Sequence, residues 1–213
     1  MSFWPEFLLI ASVHLMAVAS PGPDFAIVLR YAVRFGRRQA LFASIGIGLA
    51  ILLHVSWSLV GIAVLIQTTP WLFKVLSLAA AAYLAYIGVQ ALKSKAVPHP
   101  EQAVAGADND TVPSAKKAFI AGFITNGLNP KATLFFLSLF AVIISPVTPL
   151  FYKVIYGVYM AVATAAWFCM LSMLLTHTKV RAFLLLKGYW SDRAMGLLLL
   201  ALAMHLLVSS FSN

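Results

Sequence analysis

Long apolar runs, two of them interrupted by prolines, most constrain what this chain can fold into. The first interruption is Ser20-Pro21-Gly22-Pro23-Asp24, inside an apolar segment that covers residues 3–33. The second is Asn126-Gly127-Leu128-Asn129-Pro130-Lys131, inside an apolar segment that covers residues 118–144. Proline has no amide donor and pushes the preceding residue out of the α region, and glycine is flexible. Both segments are therefore predicted to be helices that break in the middle.

The medium around the chain follows from its composition. Of its 213 residues 62% are hydrophobic and only 10% are charged, whereas a soluble domain carries about a quarter charged residues. The apolar runs are unbroken over about twenty residues, which predicts membrane-spanning helices rather than the alternating strands of a barrel. We predict an all-α, polytopic membrane protein. The net charge of +9 is then a sign of topology and predicts no nucleic-acid partner.

Six spans are predicted, at residues 3–33, 40–66, 71–92, 118–144, 151–175 and 194–211. The start of the first carries Glu6 and no Lys or Arg, so it is predicted to be a retained span and not a signal peptide. Twelve of the fifteen Lys and Arg fall in the connections after the first, third and fifth spans. This bias predicts that those connections face the cytoplasm and that both termini lie on the other side of a bacterial inner membrane.

The chain also divides into two halves of three spans each. We predict a first repeat over residues 1–92, a cytoplasmic linker over 93–117 and a second repeat over 118–213. An odd number of spans inserts the second half upside down, so the two broken helices would be the first spans of an inverted repeat. Small residues recur on both second spans, a pattern that serves close helix packing within one chain or in a homodimer. The small residues are Ala40, Ser44, Gly48, Gly157, Ala161 and Ala165.

Broken helices at matching positions in two halves indicate a transporter site near the middle of the membrane. New half-helices are predicted to begin at Pro23 and at Pro130, because proline is favoured in a first turn. Their N-termini carry free amides and partial positive charge that suit a carboxylate. We predict that a substrate carboxylate binds these N-termini and Asn129, and that its ammonium binds Asp24 and carbonyls near Ser20.

Charged groups at the two breaks suggest how transport is coupled. Asp24 is the only carboxylate away from the chain ends and loops, and Lys131 lies in a span as well. Burying either costs about 2.5–3.5 kcal/mol, so such residues usually serve function. Asp24 would bind the substrate or carry a proton, with Lys131 as its alternate partner. The structural alternatives are a carboxylate that only caps its half-helix and a lysine that reaches the interface.

The histidines and asparagines of the spans each have a structural and a functional interpretation. Histidines occur at His14, His54 and His205. His54, near the middle of its helix, is the best candidate for a proton relay, although such a residue often only hydrogen-bonds a neighbouring helix. Asn126 and Asn129 would bind the substrate or satisfy the broken backbone.

The same two segments carry a family resemblance. Ser20-Pro21-Gly22-Pro23-Asp24, followed by Arg34-Phe35-Gly36-Arg37-Arg38, resembles the first signature of the LysE/RhtB-type amino-acid exporters. Phe119-Ile120-Ala121-Gly122-Phe123 and Asn129-Pro130-Lys131-Ala132 are similar to the fourth-span signature of that family. Gly127 stands where an aliphatic residue is more usual in it, which would loosen the second break. The resemblance implies a proton-driven secondary exporter of amino acids or their derivatives, without a cofactor.

Other functional classes find less support in the residues. A metal exporter would need several membrane carboxylates or thiols, and the spans offer Asp24, scattered histidines and the single Cys169. An enzyme would need a nucleophile beside a base or a phosphate-binding loop, and neither pattern is present. We therefore predict no enzymatic activity and no metal site. Export of a small cation or of a modified metabolite remains the alternative to amino-acid export.

Overall fold

The computed structural model describes residues 3–20, 22–68, 70–94, 111–145, 147–177 and 189–212, with isolated positions between 179 and 187. The described part is all helical. Its helices are α1 (Phe3–Ala19), α2 (Pro23–Arg34), α3 (Arg37–Thr68), α4 (Pro70–Leu92), α5 (Ala115–Gly127), α6 (Pro130–Val142), α7 (Leu150–Leu174) and α8 (Tyr189–Ser212). Most of the predicted linker lies outside the described residues. Its last three residues belong to α5, because Ser114 caps that helix and accepts a hydrogen bond from the Lys117 amide.

Both predicted breaks are present. Helix α2 begins at Pro23 and α6 begins at Pro130, each with proline in its first turn. The axes of α1 and α2 differ by 53°. The second break is shorter than expected, because α5 continues through Asn126 and Gly127 before it ends. Gly127 is therefore the last residue of α5, and its effect on the looseness of the break stays a prediction.

Helices that suit a membrane are also present, although the six-span arrangement is not established by them. Among the described residues two helices are long and apolar enough to cross a membrane, at Arg37–Val60 and Leu150–Leu174. A third span results if α1 and α2 together count as one bent crossing. Large apolar side chains point outward, such as Trp57, Val162 and Leu197 at 62%, 62% and 63% exposure. Lipid satisfies such a surface, whereas water does not.

The small residues of α3 and α7 face each other within the chain. Gly48 packs against Ala161 and Ala165, and Gly157 packs against Val55. The buried Ser44 and Ser172 hydroxyls are 2.8 Å apart at the same crossing. This packing uses the small residues inside one chain, so the homodimer remains a prediction with no support from them.

The backbones of α3 and α5 approach each other more closely. A methyl group added at Gly46 would overlap the carbonyl oxygen of Phe119, and one added at Gly122 would overlap that of Ala43. Glycine at both positions is therefore required by the separation of the two helices. The contact holds α5, and with it the second break, against α3.

A second buried carboxylate, Glu6, lies outside the predicted site. Glu6 in α1 is 2% exposed and accepts hydrogen bonds from the Ser145 amide at 2.9 Å and from the Thr148 hydroxyl at 2.9 and 3.0 Å. These bonds tie the start of α1 to the loop between α6 and α7. Glu6 is therefore a buried carboxylate in addition to Asp24, although its position near the start of the sequence gave no sign of burial.

Two clusters of buried apolar side chains form the core. One is centred on α1, α6 and α7 and includes Phe136, Leu139 and Tyr156. The other joins α2 and α3 to the end of α7 and includes Val28 and Phe168. A cavity lies between the clusters and takes wall residues from both. The two helix breaks open onto this cavity.

Candidate functional site

The cavity brings the two breaks together, although they are about a hundred residues apart in sequence. The first break contributes Ser20, Gly22, Pro23 and Asp24 to its wall, and the second contributes Asn126, Asn129 and Lys131. The volume open to the centre of a water molecule is about 60 Å³, which is room for a few waters. The cavity therefore suits a small ligand.

Asp24 is held by the amides of the second break. Its Oδ2 accepts hydrogen bonds from Asn126 Nδ2 at 3.0 Å and from Asn129 Nδ2 at 3.3 Å. Both asparagines are almost fully buried. Two oxygens beside these bonds, Asp24 Oδ1 and Asn126 Oδ1, are buried without a hydrogen-bond partner among the described residues. The site therefore offers two free acceptors to a ligand that carries donors.

Lys131 crosses from the second break to the first. Its Nζ donates to Ser20 Oγ at 3.0 Å. A Cβ placed on Gly22 would be 3.7 Å from Nζ, an ordinary contact, and Gly22 has an extended backbone with φ of −173°. Gly22 therefore tolerates alanine as far as backbone and space are concerned. Gly22 lies beside the lysine ammonium.

The two half-helix N-termini are not equivalent. Asn129 caps α6, since its Oδ1 accepts from the Lys131 amide at 3.0 Å. Gly22 at the N-cap of α2 makes no side-chain capping bond. Because the Asn129 side chain already bonds Lys131 and Asp24, its geometry suits positioning Asp24 better than binding a carboxylate. Among the two, the N-terminus of α2 is the one without a side-chain cap.

Of the remaining predicted residues that the structure describes, Pro23 is in the cavity wall, whereas Pro130 and His54 are not. Pro23 lines the cavity, Pro130 is exposed and begins α6 without lining it, and Pro21 lies outside the described residues. His54 is 1% exposed and does not line the cavity. Its Nε2 donates to the Asn126 carbonyl at 3.0 Å, and its Nδ1 lies 3.4 Å from Thr133 Oγ1. His54 therefore hydrogen-bonds the second break without lining the cavity.

This placement predicts that His54 is a positioning residue. Glutamine can still donate to the Asn126 carbonyl, whereas leucine leaves that buried carbonyl unpaired at about 1–3 kcal/mol. In an assay of the amino-acid exchange that the resemblance implies, reconstituted His54→Gln is expected to stay within about threefold of wild type, with the same pH dependence. His54→Leu is expected to be slower. A proton relay at His54 would be indicated instead if His54→Gln lost the pH dependence.

Two residues of the cavity wall were not assigned to the site from the sequence, although His14 was one of the three histidines noted there. His14 of α1 and Thr164 of α7 line the wall, with His14 Nε2 3.1 Å from Thr164 Oγ1. The other lining side chains are apolar, among them Leu84, Phe135, Phe136, Phe168 and Leu199. A histidine in an apolar segment was a visible signal. Nothing in the sequence indicates its pairing with a threonine 150 residues away.

Known proteins resemble this chain over most of its length. Residues 15–210 match the family of LysE type translocators. A threonine efflux protein of Escherichia coli strain K12 is 30% identical over 209 residues, which cover 95% of this chain and 98% of that protein. The threonine efflux protein of Salmonella typhi is 27% identical over 205 residues, with the same two coverages.

A third relative matches a shorter part. A leucine efflux protein of an Enterobacter species is 34% identical over 125 residues, 58% of this chain and 56% of its own length. No solved structure matches the chain.

Proposed function

Because this chain belongs to the family of LysE type translocators, we propose that it is a secondary transporter that exports a small neutral amino acid from the bacterial cytoplasm in exchange for protons. The observation that carries the proposal is the cavity between the two helix breaks, with Asp24 and Lys131 in its wall. A zwitterion presents one cation and one anion a short distance apart. A cavity with one carboxylate and one ammonium in its wall matches that pattern of charge.

The ammonium of the substrate binds at Asp24. An ammonium has three N–H donors. Two of them can pair with Asp24 Oδ1 and Asn126 Oδ1, the buried acceptors of the site without a partner among the described residues. The Asn126 and Asn129 amides hold the carboxylate in place through Oδ2. Charge-assisted hydrogen bonds of this kind are roughly twice as strong as neutral ones.

The carboxylate of the substrate binds between Lys131 and the start of α2. Lys131 Nζ supplies a full positive charge and lies close to Gly22. The N-terminus of α2, which has no side-chain cap, adds amide donors and the positive end of the helix dipole. The α6 N-terminus is occupied by its own Asn129 cap and orients the lysine.

Asp24, the one carboxylate among the described residues of the cavity wall, supports exchange with protons. A buried carboxylate needs a positive partner, and either the substrate ammonium or a proton can neutralise it. The two compete for Asp24, so binding a proton on the outside releases the substrate there. Return of the protonated site and loss of the proton to the cytoplasm complete the cycle. The basic connections of the chain support this orientation.

The side chain of the substrate meets mostly apolar walls. Leu84, Phe135, Phe168 and Leu199 can accept a small uncharged group but offer nothing to a charged one. Threonine and leucine, which name the transported substrates of the relatives, are therefore the first amino acids to test. Derivatives of these amino acids come next.

The test is counterflow into proteoliposomes that are loaded with one unlabelled amino acid. Labelled threonine, leucine, lysine and glutamate are offered outside, and a pH-sensitive dye inside reports proton movement. We expect the vesicles to accumulate a labelled neutral amino acid, protons to enter with the net efflux of the unlabelled one, and lysine and glutamate to be rejected. Protein-free vesicles are the control. The proposal would be contradicted if the protein exchanged none of the four amino acids.

A further inference from the structure

One polar pair stands in the otherwise apolar part of the cavity wall. His14 and Thr164 come from α1 and α7, and their side chains are 0% and 1% exposed. His14 Nε2 and Thr164 Oγ1 are 3.1 Å apart. Polar groups are costly in such a wall unless they are hydrogen-bonded. The bond between Nε2 and Thr164 Oγ1 meets this requirement for one nitrogen of the ring.

Packing explains only one nitrogen of the histidine. The bond from Nε2 joins α1 to α7, as a structural histidine would. Nδ1 is buried and has no hydrogen-bond partner in the part of the chain that the structure describes. The ring is flanked by Phe136 and Tyr159, with centroids 6.1 and 6.3 Å away. Thr164 and these two aromatic rings hold the imidazole in one orientation at the wall.

We propose that His14, oriented by Thr164, hydrogen-bonds a hydroxyl group on the side chain of the transported amino acid and thereby selects hydroxyl-bearing substrates over aliphatic ones of the same shape. This inference rests on the proposed function. A hydroxyl can both donate and accept, so it serves Nδ1 whichever tautomer the bond to Thr164 imposes. An aliphatic side chain leaves Nδ1 unpaired. A site built around a hydrogen bond discriminates strongly against an analogue that lacks the group.

Threonine and valine provide the test, because they differ by a hydroxyl in place of a methyl. Counterflow of each is measured for wild type, His14→Leu, Thr164→Val and His14→Gln, and the threonine-to-valine ratio of rates is compared. We expect the ratio to fall at least about tenfold in His14→Leu, with valine exchange kept or increased. Thr164→Val is expected to lower the ratio less, since Nδ1 remains but the ring is released. His14→Gln is expected to retain part of the preference.

The control variant is Ser138→Ala. Ser138 is 2% exposed, bonds only the Leu134 carbonyl in its own helix among the described contacts, and does not line the cavity. Its ratio is expected to match wild type. Valine exchange reports that a variant is folded, and if His14→Leu does not fold, Thr164→Val and His14→Gln decide by the same ratio.

The outcomes separate the inference from the proposed function. Equal exchange of threonine and valine by wild type, or an unchanged ratio in His14→Leu, overturns the role of His14 and leaves amino-acid export intact. Wild-type protein that exchanges no amino acid overturns both.

Discussion

Asp24→Asn is expected to reduce amino-acid counterflow at least about 100-fold and to abolish the coupled proton movement. The substitution preserves the shape of the side chain, and the oxygen of the new amide can still accept from Asn126 and Asn129. It removes the negative charge that binds the substrate ammonium and the group that takes up the proton. Truncating one partner of a buried, hydrogen-bonded charge pair costs about 2–5 kcal/mol, which corresponds to this loss.

The matched control for Asp24→Asn is Glu6→Gln. It makes the same change from carboxylate to amide at a buried position that does not line the cavity. Glu6→Gln weakens the bonds to Ser145 and Thr148, so a modest loss of thermal stability is expected, with exchange and proton flux retained. Counterflow and the dye signal are measured on equal amounts of reconstituted protein. Wild-type exchange by Asp24→Asn, with wild-type pH dependence, would rule out Asp24 as the coupling group.

Gly122→Ala is expected to destabilise the fold by about 3 kcal/mol or more, because the added methyl group overlaps the backbone of Ala43. Flexible side chains can move away from a new methyl group, but here the obstacle is a backbone carbonyl near the start of α3. The helices must separate, and α5 carries Asn126, which holds Asp24. Exchange is therefore expected to fall together with stability.

Thermal unfolding in detergent measures this effect, and Gly127→Ala on the same helix is the control. A Cβ at Gly127 would be 3.8 Å from Leu53 Cδ1, an ordinary contact. Alanine is also a better helix former than glycine by about 1 kcal/mol. We expect Gly122→Ala to lower Tm by about 6–12 °C and Gly127→Ala to leave it near wild type. Equal Tm values for the two variants would show that α3 and α5 are not in close contact.

Much of the site could be predicted from sequence because its parts are local. The breaks at Ser20 and Asn129 follow from proline chemistry, and α2 and α6 begin at the residues where proline suits a first turn. The matching positions of the breaks predicted that Asp24 and Lys131 would share a site. Both line one cavity, while their roles in binding and coupling stay predictions.

Other parts of the site could not be predicted because they depend on how helices rotate and cross. His54 was the preferred histidine for its central position, yet the structure places it behind the second break and puts His14 in the cavity wall. Asn129 was predicted to bind the substrate or to satisfy the broken backbone, and in the structure its side chain donates to Asp24 and accepts from the Lys131 amide. A helix offers every side to its surroundings, and sequence position does not say which side meets the cavity.

The sequence by itself determined that the helices are surrounded by lipid, that the fold is helical, where the two breaks lie and which charged residues stand beside them. Each of these follows from the chemistry of neighbouring residues. The tertiary structure alone decided that α3 and α5 touch through Gly46 and Gly122, that Glu6 reaches the loop before α7, and that His14 meets Thr164. In lipid no hydrophobic force distinguishes one apolar helix face from another, so these contacts are selected by close packing and hydrogen bonding between distant segments.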